Sequence, residues 1–160
     1  MLLPSSLTQQ GFAIKDINAD DLPSYIQVIS ACAKKYVDEN HQLYGKWNDE
    51  NVVNEFNDKT ERSFFRKLVL YSETVGFLAY DIKDDKISGV SINLIEKARN
   101  KGIGSLCMKH VIKLAEEQGK PVFLEVMVVN PAVHLYKRLG FMHHEYLLGF
   151  HQMIYNPANP

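Results

Sequence analysis

Apolar and polar residues alternate from Gly11 to Ile17 (GFAIKDI), the two-residue period of a strand with one covered face. From Asn18 the period lengthens. Leu22, Tyr25, Ile26, Ile29, Cys32, Ala33 and Tyr36 recur at helical spacing, with Asn18 or Asp20 available as a cap and Pro23 in a first turn, where its missing N–H costs nothing. The polar stretch ENHQLYGKWND predicts a loop, and Asn48, Asp49 and Glu50 predict the start of a short second helix carrying Val52, Val53 and Phe56. Three strand-like runs follow, Phe64 to Tyr71, Val75 to Lys83 and Lys86 to Ile95, split by SET and DD. Links this short impose an antiparallel meander.

After Gly102 the helical period returns, with Ile103, Cys107, Val111, Leu114 and Ala115 on one face and Gly119 and Pro121 marking the end. Pro121 to Val129 (PVFLEVMVV) reads as a buried strand, and the succession of strand, helix and strand predicts that it runs parallel to the Lys86 strand. Ala132 to Leu139 predicts a short helix stopped at Gly140, and Phe141 to Tyr155 a closing hairpin with a turn at Gly149. The fold class expected is α/β (α+β), with a mixed, mostly antiparallel sheet. No repeat or linker divides the chain, so the expectation is a flexible start over residues 1–10 and a single domain over residues 11–160.

Composition narrows the partners. With 46% apolar residues in 160 there is enough to bury one core, and the formal charge of −1 provides no overall basic field for nucleic acid or an anionic membrane. No run approaches the roughly 18 apolar residues needed to span a bilayer. The opening MLLPSSLTQQ lacks the cationic flank and long apolar centre of a signal peptide. Cys32 and Cys107, 75 positions apart and outside any CxxC, indicate neither a disulfide framework nor a zinc site, so a reducing, cytoplasmic setting is expected.

The chemistry concentrates in EKARNKGIGS, Glu96 to Ser105. Gly102 and Gly104 either permit a tight strand-to-helix turn or let a ligand approach the unpartnered amides at a helix N-terminus, where the dipole favours anions. Lys97, Arg99 and Lys101 immediately before them favour the second reading, with a pyrophosphate as occupant. Two known phosphate loops are excluded. Both a Walker A loop and a dinucleotide GxGxxG would need glycine at position 107, which is Cys107, and the antiparallel strands upstream contradict a doubly wound sheet.

Arg99-Asn100-Lys101-Gly102-Ile103-Gly104 resembles the [QR]xxGx[GA] loop of the GNAT superfamily of acyl-CoA-dependent N-acetyltransferases. Leu124-Glu125-Val126, Asn130, Ala132, Leu135-Tyr136 and Gly140-Phe141 are similar to its LxV…N…A..LY…GF block. The resemblance implies helices on both faces of the sheet and a splayed parallel strand pair holding acetyl-CoA as co-substrate, with no metal. It implies that the main chain of Ile92, Asn93 and Leu94 pairs with the pantetheine arm. The amides of Asn100, Lys101, Gly102, Ile103, Gly104 and Ser105 would hold the pyrophosphate after Arg99, Asn130 would contact the cofactor, and Tyr136 would protonate the departing thiolate. Asn130 stands one residue closer to Tyr136 than is common in the family.

Amine acetylation needs a neutral amine, yet an amine of pKa about 10 is only about one part in a thousand neutral near pH 7. Glu125 interrupts an apolar strand. Buried there, its pKa would rise toward that of a useful base; facing solvent or an ion pair it would be structural, with water relaying the proton. By resemblance it occupies the base position of the ribosomal-protein alanine acetyltransferases. From Tyr36 to Thr60 six acids (Asp38, Glu39, Asp49, Glu50, Glu55, Asp58) face two lysines, a rim expected to attract a cationic amine. Trp47 either belongs to that rim or anchors the second helix, and His143, His144 and His151 have no ligand spacing. The reading is an N-acetyltransferase acting on a primary amine of a small molecule or peptide, monomer or homodimer. Its alternative is a non-catalytic acyl-CoA-binding sensor.

Overall fold

The computed structural model describes residues 1–158, so the last two residues of the expected 11–160 domain lie outside the description. Seven strands, β1 (Phe12–Asp16), β2 (Phe64–Leu70), β3 (Glu73–Ile82), β4 (Ile87–Leu94), β5 (Val122–Met127), β6 (Met142–Leu147) and β7 (Phe150–Tyr155), form one sheet in the order β1-β2-β3-β4-β5-β7-β6. All neighbours are antiparallel except β4 and β5. The helices are α1 (Ser5–Thr8), α2 (Leu22–Ile29), α3 (Lys35–Glu39), α4 (His41–Tyr44), α5 (Asp49–Arg62), α6 (Ile103–Gln118) and α7 (Val133–Arg138).

The sheet divides two cores. On one face α1, α6 and α7 bury Leu7, Ile103, Met108, Val111 and Tyr136 against Leu78, Ile87, Val122 and Leu124. On the other, α2 and α5 bury Tyr25, Val28, Val52 and Phe56 against Phe65, Phe77 and Ala79. Central β3 supplies both, which is why its apolar residues run on without alternation.

Local chemistry sets the boundaries. Asn18 and Asp21 form a capping box, and the buried Asp21 carboxylate also pairs with Lys67 at 2.5 Å, tying the start of α2 to β2. Asn48 caps α5 by accepting the Glu50 amide at 2.9 Å, and α6 ends on Gly119 in a left-handed conformation.

Three features extend or depart from the sequence expectations. The second helix is not short: α5 has 14 residues, supported by Glu55–Lys59 and Asp58–Arg62 pairs one turn apart. Within residues 1–10, expected as a flexible start, a short helix forms, and α1 buries Leu7 in the larger core. The first helix is interrupted by a π-helical turn at Ser30–Lys34, a wider coil that turns Cys32 and Ala33 toward the cleft beside β4.

Candidate active site

The parallel strands β4 and β5 meet at one register pair among the described residues, Ile87 with Val122, reinforced by the Ile87 amide donating to the Pro121 carbonyl at 2.9 Å. Beyond it they diverge. On the other side β4 stays paired with β3 up to Leu94, and the Ile95 amide donates to Val75 O at 3.0 Å. Peptide groups alternate along an antiparallel strand, so those of Asn93 turn with Ile95 toward β3 while those of Ile92 and Leu94 face the gap. Among the described residues the N–H and C=O of Ile92 and the N–H of Leu94 are thus left open toward an extended ligand, while the Leu94 carbonyl is already engaged by Arg99 and Cys32. The main chain of Asn93 is not open, because the β3 ladder uses it.

At the open end of the gap the chain turns into α6. Asn100 and Gly102 take left-handed conformations (φ 58° and 77°), which curl the loop so that α6 opens toward the cleft. Among the described residues no acceptor engages the amides of Asn100 through Ser105, and the first backbone bond of the helix is Leu106 N–H to Gly102 O at 2.9 Å. Six consecutive open donors at the positive end of a 16-residue helix form a cradle for an anion. A Cβ at Gly104 would stand 3.3 Å from Leu135 and 3.9 Å from Leu94, so glycine keeps this wall thin.

The cations beside the loop serve it less than expected. Lys97 pairs with Glu73, and Arg99 donates through Nε to the Leu94 carbonyl at 2.7 Å, with an Nη 3.7 Å from the Cys32 sulfur. Cys32 also donates to that carbonyl at 3.3 Å. The side chain of Arg99 therefore fastens the loop to the end of β4, and the anion-binding capacity rests on the main chain.

Tyr136 sits on α7, and the turn leading into that helix is held by the Asn130 side chain, which accepts the Ala132 amide at 2.9 Å. The Tyr136 ring packs edge-on against Phe141 with centroids 6.0 Å apart, its hydroxyl has no hydrogen-bond partner among the described residues, and burial pushes its pKa up to about 12. It stays protonated at neutral pH.

Of the two placements open to Glu125, the structure shows the exposed one. The β5 pattern alternates, so Glu125 is exposed between buried Leu124 and Val126, on the cleft side, where Gln152 of β7 donates to its carboxylate at 2.9 Å. Gln152 was not singled out from the sequence, since nothing local announces a partner 27 positions away.

Two cavities flank the gap. One, about 580 Å³, runs over Arg99, Asn100, Gly102, Ile103, Gly104 and Ser105, while Lys101 does not line it. The second, about 740 Å³, opens on the α2 and α5 face and includes Glu55, Lys59, Ser91, Glu125, Phe150 and Gln152. Ala33, Ile92, Asn93, Asn130 and Tyr136 line both. A long ligand seated in the first and a small one in the second would meet at those five residues.

The acidic rim is largely cancelled. Asp38 pairs with Lys34, Glu39 with Lys35 at 3.7 Å, Glu55 with Lys59 at 2.5 Å and Asp58 with Arg62 at 3.5 Å. Lys34, Lys35 and Arg62 lie just outside the 36–60 window. Trp47 donates to Asp49 at 2.6 Å at the start of α5, the anchoring role, and Tyr44 donates to Gly149 O at 2.8 Å, latching α4 to the β6–β7 turn. His143 and His151 stack with Tyr146 on the hairpin, away from both cavities.

Comparison with known proteins agrees with this architecture. The chain is 30% identical over 139 residues to streptothricin acetyltransferase of Streptomyces lavendulae, covering 84% of this chain and 65% of that protein. It is 34% identical over 95 residues to the mouse cysteine-rich protein 2-binding protein, of which it spans only 12%. In fold it matches the PaiA N-acetyltransferase of Thermoplasma acidophilum, solved with coenzyme A, with a TM-score of 0.68 at 16% identity over 91% of this chain and 98% of that one. Residues 29–141, which contain the open amides, Asn130 and Tyr136, match the model of the acetyltransferase (GNAT) family, and the chain belongs to that family.

Proposed function

We propose that this protein transfers the acetyl group of acetyl-CoA directly to a primary amine of a small molecule or peptide. The observation that carries the reading is the meeting of a long groove, floored by the open amides of Asn100 and of Gly102 to Ser105, with a second cavity at Tyr136. The residues fit the co-substrate. The amides of Asn100 to Ser105 suit its pyrophosphate, and the N–H and C=O of Ile92 with the N–H of Leu94 suit the amides of its pantetheine arm. Bound acetyl-CoA supplies a thioester with an electrophilic acetyl carbon.

The chain's own groups then have distinct tasks. Glu125, steadied by Gln152, takes a proton from the incoming ammonium directly or through water, and the neutral nitrogen bonds to the acetyl carbon. The Ile92 N–H facing the gap donates to the carbonyl oxygen as negative charge develops there. As the carbon–sulfur bond breaks, the nitrogen, cationic after attack, gives up its second proton to water, Tyr136 gives its hydroxyl proton to the sulfur, and the resulting phenolate is reprotonated from solvent. Its raised pKa keeps that proton in place until a thiolate forms beside it. Holding both reactants in line contributes further, and neither a metal nor a covalent enzyme intermediate is invoked.

The test is thiol release from acetyl-CoA with L-lysine, spermidine, glucosamine and a tetrapeptide bearing a free α-amine, with wild type and Tyr136→Phe in parallel. The expectation is release with at least one amine and a loss of about 100-fold in kcat in the variant, the scale of a missing general acid. Coenzyme binding without release from any amine would instead make this a sensor.

A further inference from the structure

We propose that Asn93 receives the attacking amine, its side-chain oxygen accepting an N–H from the acceptor, and that Lys59 is the positioning residue that holds it there. This rests on the acetyl-transfer reading and adds the residue that orients the second substrate. Asn93 is one of three polar side chains, with Asn130 and Tyr136, that line both cavities, so it borders the point where bond formation must occur. Each of the three is left with a different capacity. Asn130 spends its oxygen on the Ala132 amide and retains its NH2 group. Tyr136 retains a hydroxyl suited to the leaving sulfur. Asn93 spends its Nδ2 on Ser91 Oγ at 2.9 Å and retains its oxygen, which suits the N–H of a nucleophile.

The group is built rather than incidental. Ser91 Oγ also accepts from Lys59 Nζ at 3.1 Å, and the same ammonium donates to the Tyr25 hydroxyl at 3.2 Å and to Glu55 at 2.5 Å. All three ammonium protons are thereby used. The Lys59 side chain is 13% exposed, and its charge is balanced by Glu55. Tyr25 beneath it is fully buried among Phe56, Phe65 and Phe77. A cation held at three points thus fixes Ser91, and Ser91 fixes the Asn93 amide across the sheet face that opens on the second cavity. An amine anchored on the Asn93 oxygen has its remaining valences directed to the gap, with Glu125 of the facing strand in the same cavity to take the proton.

Asn93→Ala and Lys59→Met are compared with wild type by steady-state kinetics on whichever panel amine is accepted, and by calorimetric titration with coenzyme A. Loss of one hydrogen bond to the amine is expected to raise its KM about ten-fold in Asn93→Ala, with coenzyme affinity within about two-fold of wild type. Lys59→Met is expected to give a smaller rise of the same kind, and Asn93→Asp, which keeps an oxygen in place, to recover most of the amine affinity. Equal effects on coenzyme and amine, or none on either, would overturn the assignment. If wild type releases no thiol, the transfer reading fails separately. The assignment is then read from binding of the same amines to the protein saturated with coenzyme A: weaker binding in Asn93→Ala supports it, and equal binding or none in wild type overturns it.

Discussion

Ile87 and Val122 face each other at the closed end of the cleft, both fully buried, as the single rung joining β4 to β5 among the described residues. The two halves of the sheet pivot on this contact. Replacing Ile87 by Ala is expected to cost about 2–5 kcal/mol by urea denaturation, and by Val only about 1 kcal/mol. Because the rung also sets the opening of the gap, coenzyme A affinity should fall in Ile87→Ala when titrated under native conditions.

The anion cradle depends on main chain, so backbone changes should exceed charge removal. Gly102→Val forces a Cβ into a left-handed conformation, a strain of about 1–2 kcal/mol, and should weaken coenzyme A binding at least ten-fold. Lys101→Ala, outside the groove, should stay within about three-fold. Calorimetric titration separates the two.

Asp21 joins the start of α2 to Lys67 while accepting the Asn18 amide at 2.9 Å, and both members of the ion pair are largely enclosed. Breaking such a pair from one side strands the other charge. Asp21→Ala is therefore expected to lose about 3–5 kcal/mol in chemical denaturation, more than the loss of any exposed pair on α5.

Alkaline pH should weaken the fold in a defined window. Burial raises Tyr136 and Tyr80 from 10.0, and Cys107 from 9.0, to about 12 each. The unfolded chain gives up these protons first, so stability is full below about pH 9 and declines as pH rises to about 12. Tyr136→Phe removes one contributor and should flatten the decline between pH 10 and 12, followed by urea midpoints across that range.

Much of this was legible because it was local. The meander from Phe64 to Ile95 follows from links too short for a crossover, and the parallel β4–β5 pair from the α6 between them. The glycine loop could be read because six adjacent residues carry its geometry. What stayed hidden was contact at long range. The alternation of Leu124, Glu125 and Val126 between buried and exposed was masked by their uniformly apolar surroundings, so the sequence left Glu125 open between a buried and a solvent-facing placement. Arg99 could be seen as a cation near an anion site, but its engagement with Leu94 and Cys32 depends on how the first helix is laid across β4. Asn93 was grouped with its neighbours as main-chain contact, whereas the parity of the ladder turns its peptide groups away and leaves its side chain at the cleft.

The π-helical turn at Ser30–Lys34 carries a constraint on chain length. Such a turn accommodates one residue more than the regular coil, and deleting one residue there would restore ordinary winding while rotating everything after it by about 100°. Val37, now buried, and Tyr36, on the groove wall, would swing off their places together. Substitutions in this segment are therefore far better tolerated than a change in its count, and the spacing between Ile29 and Val37 is the property on which the upper wall of the cleft depends.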